Sequence, residues 1–146
     1  MKIVLQRVSE AHVKVGQKEV GRAGQGMLIF LGVAKGDAEE DVDYLIRKII
    51  ELRIFEDENG KMNRSAKDVK AEFLVVSQFT LLGDCMKGRR PSFDKAAEPK
   101  EAERLYELFV EKLSQQDFKV ATGEFRAMMD VSLVNDGPVT FVLDSK

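Results

Sequence analysis

The run Met27-Leu28-Ile29-Phe30-Leu31-Gly32-Val33 carries no polar side chain on either side of a β pleat. A half-exposed strand alternates apolar and polar residues, so a run of this kind belongs in the middle of a sheet with both faces covered. The rest of the chain must therefore supply layers on both sides of it. Residues 72–79, EFLVVSQF, form a second, mostly apolar strand. Residues 2–8 and 11–15 read as two more strands, with Ala11, Val13 and Val15 alternating against His12 and Lys14. Gly16-Gln17 then reads as a hairpin turn into Lys18 to Arg22.

Two segments change period. Asp37 with Glu40 is a capping pair, and Val42, Leu45, Ile46 and Ile49 recur at helical spacing, which predicts a helix over 38–52. After the turn signal Asn59-Gly60, Pro99 opens a second helix whose Ala102, Leu105, Leu108, Phe109 and Leu113 lie along one side. Strand-like pieces at 118–125, 128–134 and 139–143 close the chain. The result is a layered α/β domain, largely β, with two main helices packed on one side. With no linker or repeat, residues 1–146 form a single domain. Long strands in so small a domain leave edges and faces that a monomer covers poorly, so a sheet-mediated homodimer is expected.

Composition excludes several classes of function. Hydrophobic residues are 44% and charged residues 33%, as in ordinary globular proteins. The net charge of -2 opposes a protein that coats nucleic acid through bulk electrostatics. Its distribution is uneven: residues 37–58 hold nine acids against Arg47, Lys48 and Arg53, while residues 59–95 hold eight bases against Asp68, Glu72, Asp84 and Asp94. Two solvated faces, or a local patch facing RNA, would both produce this pattern. No apolar run reaches membrane-spanning length, and Arg7 and Glu10 interrupt what would be the core of a signal peptide. With the single Cys85 unable to form an internal disulfide, a cytoplasmic location is expected. One His and one Cys cannot build a zinc site of the usual nitrogen and sulfur type, and His12 reads as an exposed strand residue rather than the base of a triad. No G-x-G-x-x-G after a strand and no G-x-x-x-x-G-K-[ST] loop is present, so no cofactor is expected.

Two polar interruptions remain. Ser77-Gln78-Phe79-Thr80-Leu81 ends an apolar strand with three hydrogen-bonding side chains around one aromatic. Asn135-Asp136-Gly137-Pro138-Val139-Thr140 separates two apolar runs. Taken singly, the first is a strand end and the second a turn. Together, in this order and spacing, they resemble the paired signatures of the D-aminoacyl-tRNA deacylase family. The opening MKIVLQRVSEAHVKV is similar to that family's start, and the likeness extends over essentially the whole chain. Residues 123–129 match at Gly123, Phe125, Ala127 and Met129, and depart at Arg126, where glycine is usual, and at Met128, where a polar residue is common.

The resemblance implies a barrel-like fold and a homodimer with its active sites at the subunit interface. It implies a cofactor-free hydrolase that proofreads aminoacyl-tRNA for translation by cleaving the ester of a D-amino acid, or of glycine, from the terminal ribose. DNA and membranes are not implied as partners. Ser77, Gln78, Phe79 and Thr80 would line the site, with the Phe79 N–H as a candidate oxyanion donor. Gly137-Pro138 would select the hand of the substrate as a cis peptide inserted from the other subunit, with Arg7 supporting it. Phe125 and Met129 would enclose the adenine, although a core role on a strand explains them equally well. Lys87, Arg89, Arg90 and Lys95 are candidates for phosphate contacts, with solvated surface charge as the other reading of each. Thr80 offers a hydroxyl nucleophile but has no evident base, so a water-based route assisted by the RNA 2'-hydroxyl is expected. Two other classes, a non-catalytic RNA-binding domain and a deacylase of relaxed chirality, are disfavoured by the intact SQFTL and NDGPVT.

Overall fold

Both faces of the apolar run at 27–33 are covered, one by helices and the other by the inside of a curved sheet. The computed structural model describes all residues from Met1 to Lys146. Strands β1 (Lys2–Val15), β2 (Lys18–Ala23) and β3 (Gly26–Gly32) lead into helix α1 (Glu39–Glu51). A small hairpin of β4 (Phe55–Glu56) and β5 (Met62–Arg64) and the short helix α2 (Ala66–Val69) precede β6 (Glu72–Ser77). A 3-10 turn over Phe79–Leu82, helix α3 (Pro99–Ser114), β7 (Val120–Thr122) and β8 (Asp130–Asp144) complete the chain.

The six-stranded sheet runs β2-β1-β3-β6-β7, with β8 also paired to β1. β1 is antiparallel to β2, β3 and β8, whereas β3, β6 and β7 are mutually parallel. The sheet curls until β2 approaches β7 and nearly closes a barrel. Gly21 permits that approach, because a Cβ there would strike the backbone carbonyl of Thr122. Ile3, Leu5, Met27, Ile29 and Leu31 pack outward against Val42, Leu45 and Ile49 of α1 and Leu105, Phe109 and Leu113 of α3. Val8, Ala11, Val13, Leu28, Leu74 and Val76 fill the other side. No helix is long and apolar enough to cross a membrane.

The structure corrects the sequence reading in several places. The two N-terminal strands are one, kinked where Ser9 is skipped between the pairs Val8↔Asn135 and Glu10↔Val134. Besides the two main helices there is a third, α2, a single turn capped by Ser65, whose side chain accepts from the Asp68 N–H. The N-terminal cap of α1 falls one residue later than the sequence indicates: Asp41 Oδ2 accepts from the Ala38 N–H at 2.8 Å, while Asp37 Oδ2 accepts from the Ala34 N–H at 2.6 Å. β6 stops at Ser77 rather than 79, and only Val120–Thr122 of the piece at 118–125 is strand. NDGPVT does not separate two strands; it lies inside the continuous β8.

Candidate active site

In sheets with parallel strands, ligands gather beyond the carboxyl ends, where the chain leaves each strand in a different direction. A pocket of about 660 Å³ opens where β3, β6 and β7 end here. Val33 follows β3, Val76 and Ser77 close β6, Gln78 to Thr80 form the next turn, and Phe125 to Met129 follow β7. Val131 of β8 and Ala97, Pro99 and Ala102 around the start of α3 complete the lining.

The first wall is set by the exit from β6. The Gln78 N–H donates to the Leu31 carbonyl at 2.8 Å, which extends the ladder by one residue. Gln78 then turns the chain with φ -144 and ψ 78 into the 3-10 turn. The first amides of such a turn have no upstream carbonyl to receive them, and those of Phe79 and Thr80 donate to no other group in the chain. The Gln78 side-chain amide donates to the Thr80 hydroxyl. The Phe79 ring, 55% exposed, meets Phe93 edge-on with centroids 5.0 Å apart, which ties the turn to the loop that follows it.

The second wall rests on α3. Tyr106 is buried, which pushes its phenol up to about 12, and the protonated hydroxyl donates to the Val75 carbonyl at 2.9 Å. Phe125 leans on the Tyr106 ring at 5.8 Å and 36°. The Glu124 N–H points at Met129 Sδ at 3.4 Å, which folds Met129 back beneath the turn. Within that turn Arg126 sits at φ 62 with its side chain exposed. No carboxylate, imidazole or thiol lines the pocket, and Arg126 is its one ionisable residue. Nowhere in the chain do three His, Cys, Asp or Glu side chains gather to hold a metal ion.

The second motif lies elsewhere. Val8 pairs with Asn135 and Gln6 with Thr140, so a two-residue step on β1 faces a five-residue step on β8, and Asp136 to Val139 swell out of the ladder opposite Arg7. Asn135 ties the base of the swelling: its Oδ1 accepts from the Val139 N–H at 3.1 Å and its Nδ2 donates to Thr140 Oγ1 at 3.0 Å. Arg7 is 3% exposed. It donates to the Asp136 carbonyl at 3.2 Å and the Ile54 carbonyl at 2.7 Å, and pairs with Asp136 Oδ2 at 3.1 Å and Glu56 at 3.6 Å. The Gly137-Pro138 bond is cis, Gly137 has φ 125, and both residues are exposed.

The sequence model described as D-Tyr-tRNA(Tyr) deacylase matches residues 4–144. The chain belongs to that family. It is accordingly a D-aminoacyl-tRNA deacylase, an enzyme that hydrolyses an ester. A D-aminoacyl-tRNA deacylase of Thermotoga petrophila is 59% identical over 145 residues, which cover 99% of this chain and 97% of the relative. One from Persephonella marina is 60% identical over 143 residues, covering 98% and 97%. Among solved structures, a c-Myc DNA unwinding element binding protein superposes with a TM-score of 0.93 at 40% identity, covering 100% of this chain and 99% of that one. A probable eukaryotic D-amino acid tRNA deacylase superposes with a TM-score of 0.80 at 20% identity, covering 98% of each, a likeness of fold alone.

In this deacylase Ser77, Gln78, Phe79, Thr80, Phe125 and Met129 meet around one pocket. Gly137, Pro138 and Arg7 do not line it. Arg7 lies in a separate small cleft with Phe55, Glu56, Arg64 and Asp136. Lys87, Arg89, Arg90 and Lys95 are exposed on the loop after the 3-10 turn, folded on itself by the Asp84↔Ser92 bridge, and none is in an ion pair. His12 is half-buried on β1 and Cys85 exposed on the loop, both outside the pocket. A larger groove of about 900 Å³ between α1 and the end of α3 is lined by polar side chains such as Asp43 and Lys112, which pair with each other. Sequence reasoning passed over Arg126 as a site residue. Its one signal was the departure from glycine.

Arg7→Met is expected to lower unfolding free energy by about 3 kcal/mol, because it strands the buried Ile54 carbonyl and removes the cation between two acids. That is the low end for a buried pair, since the Asp136 and Glu56 side chains are 50% and 57% exposed. Urea unfolding followed by circular dichroism measures it; a loss under about 1 kcal/mol would reduce the network to the value of a surface contact.

Proposed function

We propose that this deacylase frees tRNA from D-amino acids and glycine with a positioned water, and that main chain at Gly137-Pro138, delivered from a second subunit, rejects L-aminoacyl groups. The observation that carries the chemistry is the pocket itself, which offers two unpaired amides at Phe79 and Thr80 and no acid or base. An activated ester needs little more. The water oxygen bonds to the ester carbon while the carbonyl electron pair moves onto oxygen, where the Phe79 N–H receives the charge. As the pair returns, the bond to the ribose 3'-oxygen breaks, and the water's proton passes to that oxygen through the neighbouring 2'-hydroxyl. Ser77 and Gln78 shape the wall, and Phe125 and Met129 hold the adenine between a ring and a thioether. Lys87, Arg89 and Arg90 meet phosphates farther along the acceptor end. A tRNA substrate implies work in the cytoplasm.

Support for the second subunit is geometric. Gly137 and Pro138 are exposed and stand outside their own chain's pocket, which supports a role at the pocket of another copy. The outer edge of β8 has no partner strand, and Val134, Phe141 and Val142 on it are 51%, 38% and 60% exposed. An open edge with apolar side chains is a surface for self-association. Arg7 and Asn135 hold the swelling in shape from beneath. Rejection by a backbone clash discriminates hand without gripping a particular side chain, so D side chains of many kinds, and glycine's hydrogen, are admitted.

The test is deacylation of D-tyrosyl-, L-tyrosyl- and glycyl-tRNA by the purified chain, with loss of the first and third expected and the second spared. Equal loss of the L-ester would remove the selectivity claim. Thr80→Ala should keep nearly full activity on the D-ester, whereas removal of a true nucleophile costs orders of magnitude. An acyl ester trapped on Thr80 would overturn the water route.

A further inference from the structure

We infer that Arg126 binds the phosphodiester on the 5' side of the terminal nucleoside, and so makes the enzyme prefer a nucleotide chain over a bare aminoacyl nucleoside. The inference rests on the proposed reading of the pocket as the seat of the terminal nucleoside.

Three observations lead to it. Arg126 is the only charged residue lining a pocket otherwise built from apolar and neutral polar side chains. Its guanidinium pairs with no carboxylate, unlike those of Arg7, Arg22, Arg64 and Arg104 and like those of Arg89 and Arg90, and it alone of these lines the pocket. Its backbone, at φ 62, is in the left-handed region that any residue with a Cβ disfavours. Such a residue at a pocket rim, where glycine would sit without strain, points to a use for the side chain.

The chemistry of the substrate names the use. A terminal nucleoside presents its ester at one end of the sugar and its phosphate at the other. With the ester against Phe79 and Thr80 and the base beside Phe125 and Met129, the chain of the RNA would leave past Arg126, the one charged residue of the lining. A guanidinium fork matches two phosphate oxygens at once, and its strength grows where apolar neighbours thin the water. Binding a phosphate that takes no part in bond breaking should register in KM rather than kcat.

The experiment compares two substrates, D-tyrosyl-tRNA and 3'-O-D-tyrosyl-adenosine, which keeps the ester and base but has no phosphate. Arg126→Gly suits the left-handed backbone and so removes the guanidinium without adding strain. Its KM for D-tyrosyl-tRNA should rise about tenfold, the low end for a charge-assisted hydrogen bond, with kcat conserved. The preference for tRNA over the adenosine ester should fall by the same factor. Arg126→Lys should lie between, since it keeps charge and loses the fork, and only in Arg126→Gly should the salt dependence of KM flatten by about one phosphate contact. An unchanged KM for tRNA overturns the assignment. Equal losses on both substrates also overturn it, by moving the contact to the base or ribose. Phe125→Ala separates the two levels of the argument. If it weakens both substrates while Arg126→Gly weakens neither, only the phosphate contact falls; if it weakens neither, the nucleoside does not sit in this pocket and both readings fall together.

Discussion

Phe79→Pro lowers kcat on D-tyrosyl-tRNA by about 10²–10³-fold, the effect of removing one oxyanion donor, while Phe79→Ala loses far less. This result is expected because proline deletes the amide and little else. Phe79 is the first residue of the 3-10 turn, a position where proline's fixed φ is at home, and its N–H has no intramolecular acceptor to lose. Gln78 before it, with φ -144 and ψ 78, lies outside the right-handed helical region that a following proline disfavours. Phe79→Ala keeps the amide and removes only the ring that rests on Phe93. Single-turnover kinetics on the D-ester isolate the chemical step from product release. Equal losses in both variants would give the role to the ring, and the developing negative charge would need another donor.

How far these residues could be read from sequence depends on whether the feature is local. The runs at 27–33 and 73–76 announce buried central strands because burial on both faces removes every polar residue. Helices α1 and α3 announce themselves by spacing and, for α3, by Pro99. The unity of β1 and of β8 is not local. Ser9 is skipped because β8 pairs with β1 on either side of it with a one-residue shift in register, and Asn135 to Thr140 stay within one strand because Arg7 and Asn135 clamp the swelling to β1 and to itself. On composition alone, Asn-Asp-Gly-Pro is a turn. The hairpin β4-β5 and the single-turn α2 are too short to build a period. At the site, SQFTL could be singled out because polar residues end an apolar strand. Its meeting with residues 125–129 depends on β6 and β7 lying side by side across the whole length of α3, a relation no spacing records. The resemblance supplied that pairing for Phe125 and Met129 and missed it for Arg126, where this chain departs from the family's pattern.

Co-expression of two complementary variants tests the cross-subunit claim most severely. Phe79→Pro disables the pocket of its own chain. Gly137→Ala disables the selecting element, because a Cβ at φ 125 would come within 2.7 Å of Val139 Cγ2 and 3.1 Å of Arg7 Nη2 and force the swelling out of place. The Phe79→Pro homodimer is then inactive, and the Gly137→Ala homodimer hydrolyses the L-ester along with the D-ester. In a dimer purified through a different affinity tag on each subunit, two-fold symmetry joins the intact pocket of the Gly137→Ala chain to the intact element of the Phe79→Pro chain. The opposite site collects both defects, so the mixed dimer should show about half the wild-type rate on D-tyrosyl-tRNA and still spare L-tyrosyl-tRNA. If each chain's element served its own pocket, or if the chain worked as a monomer, the mixed preparation would hydrolyse L-tyrosyl-tRNA along with D-tyrosyl-tRNA. Light scattering on the wild-type chain supplies the control: a strict monomer at assay concentration removes the partner that carries Gly137 and Pro138 to the ester, and with it the account of how the L-form is refused.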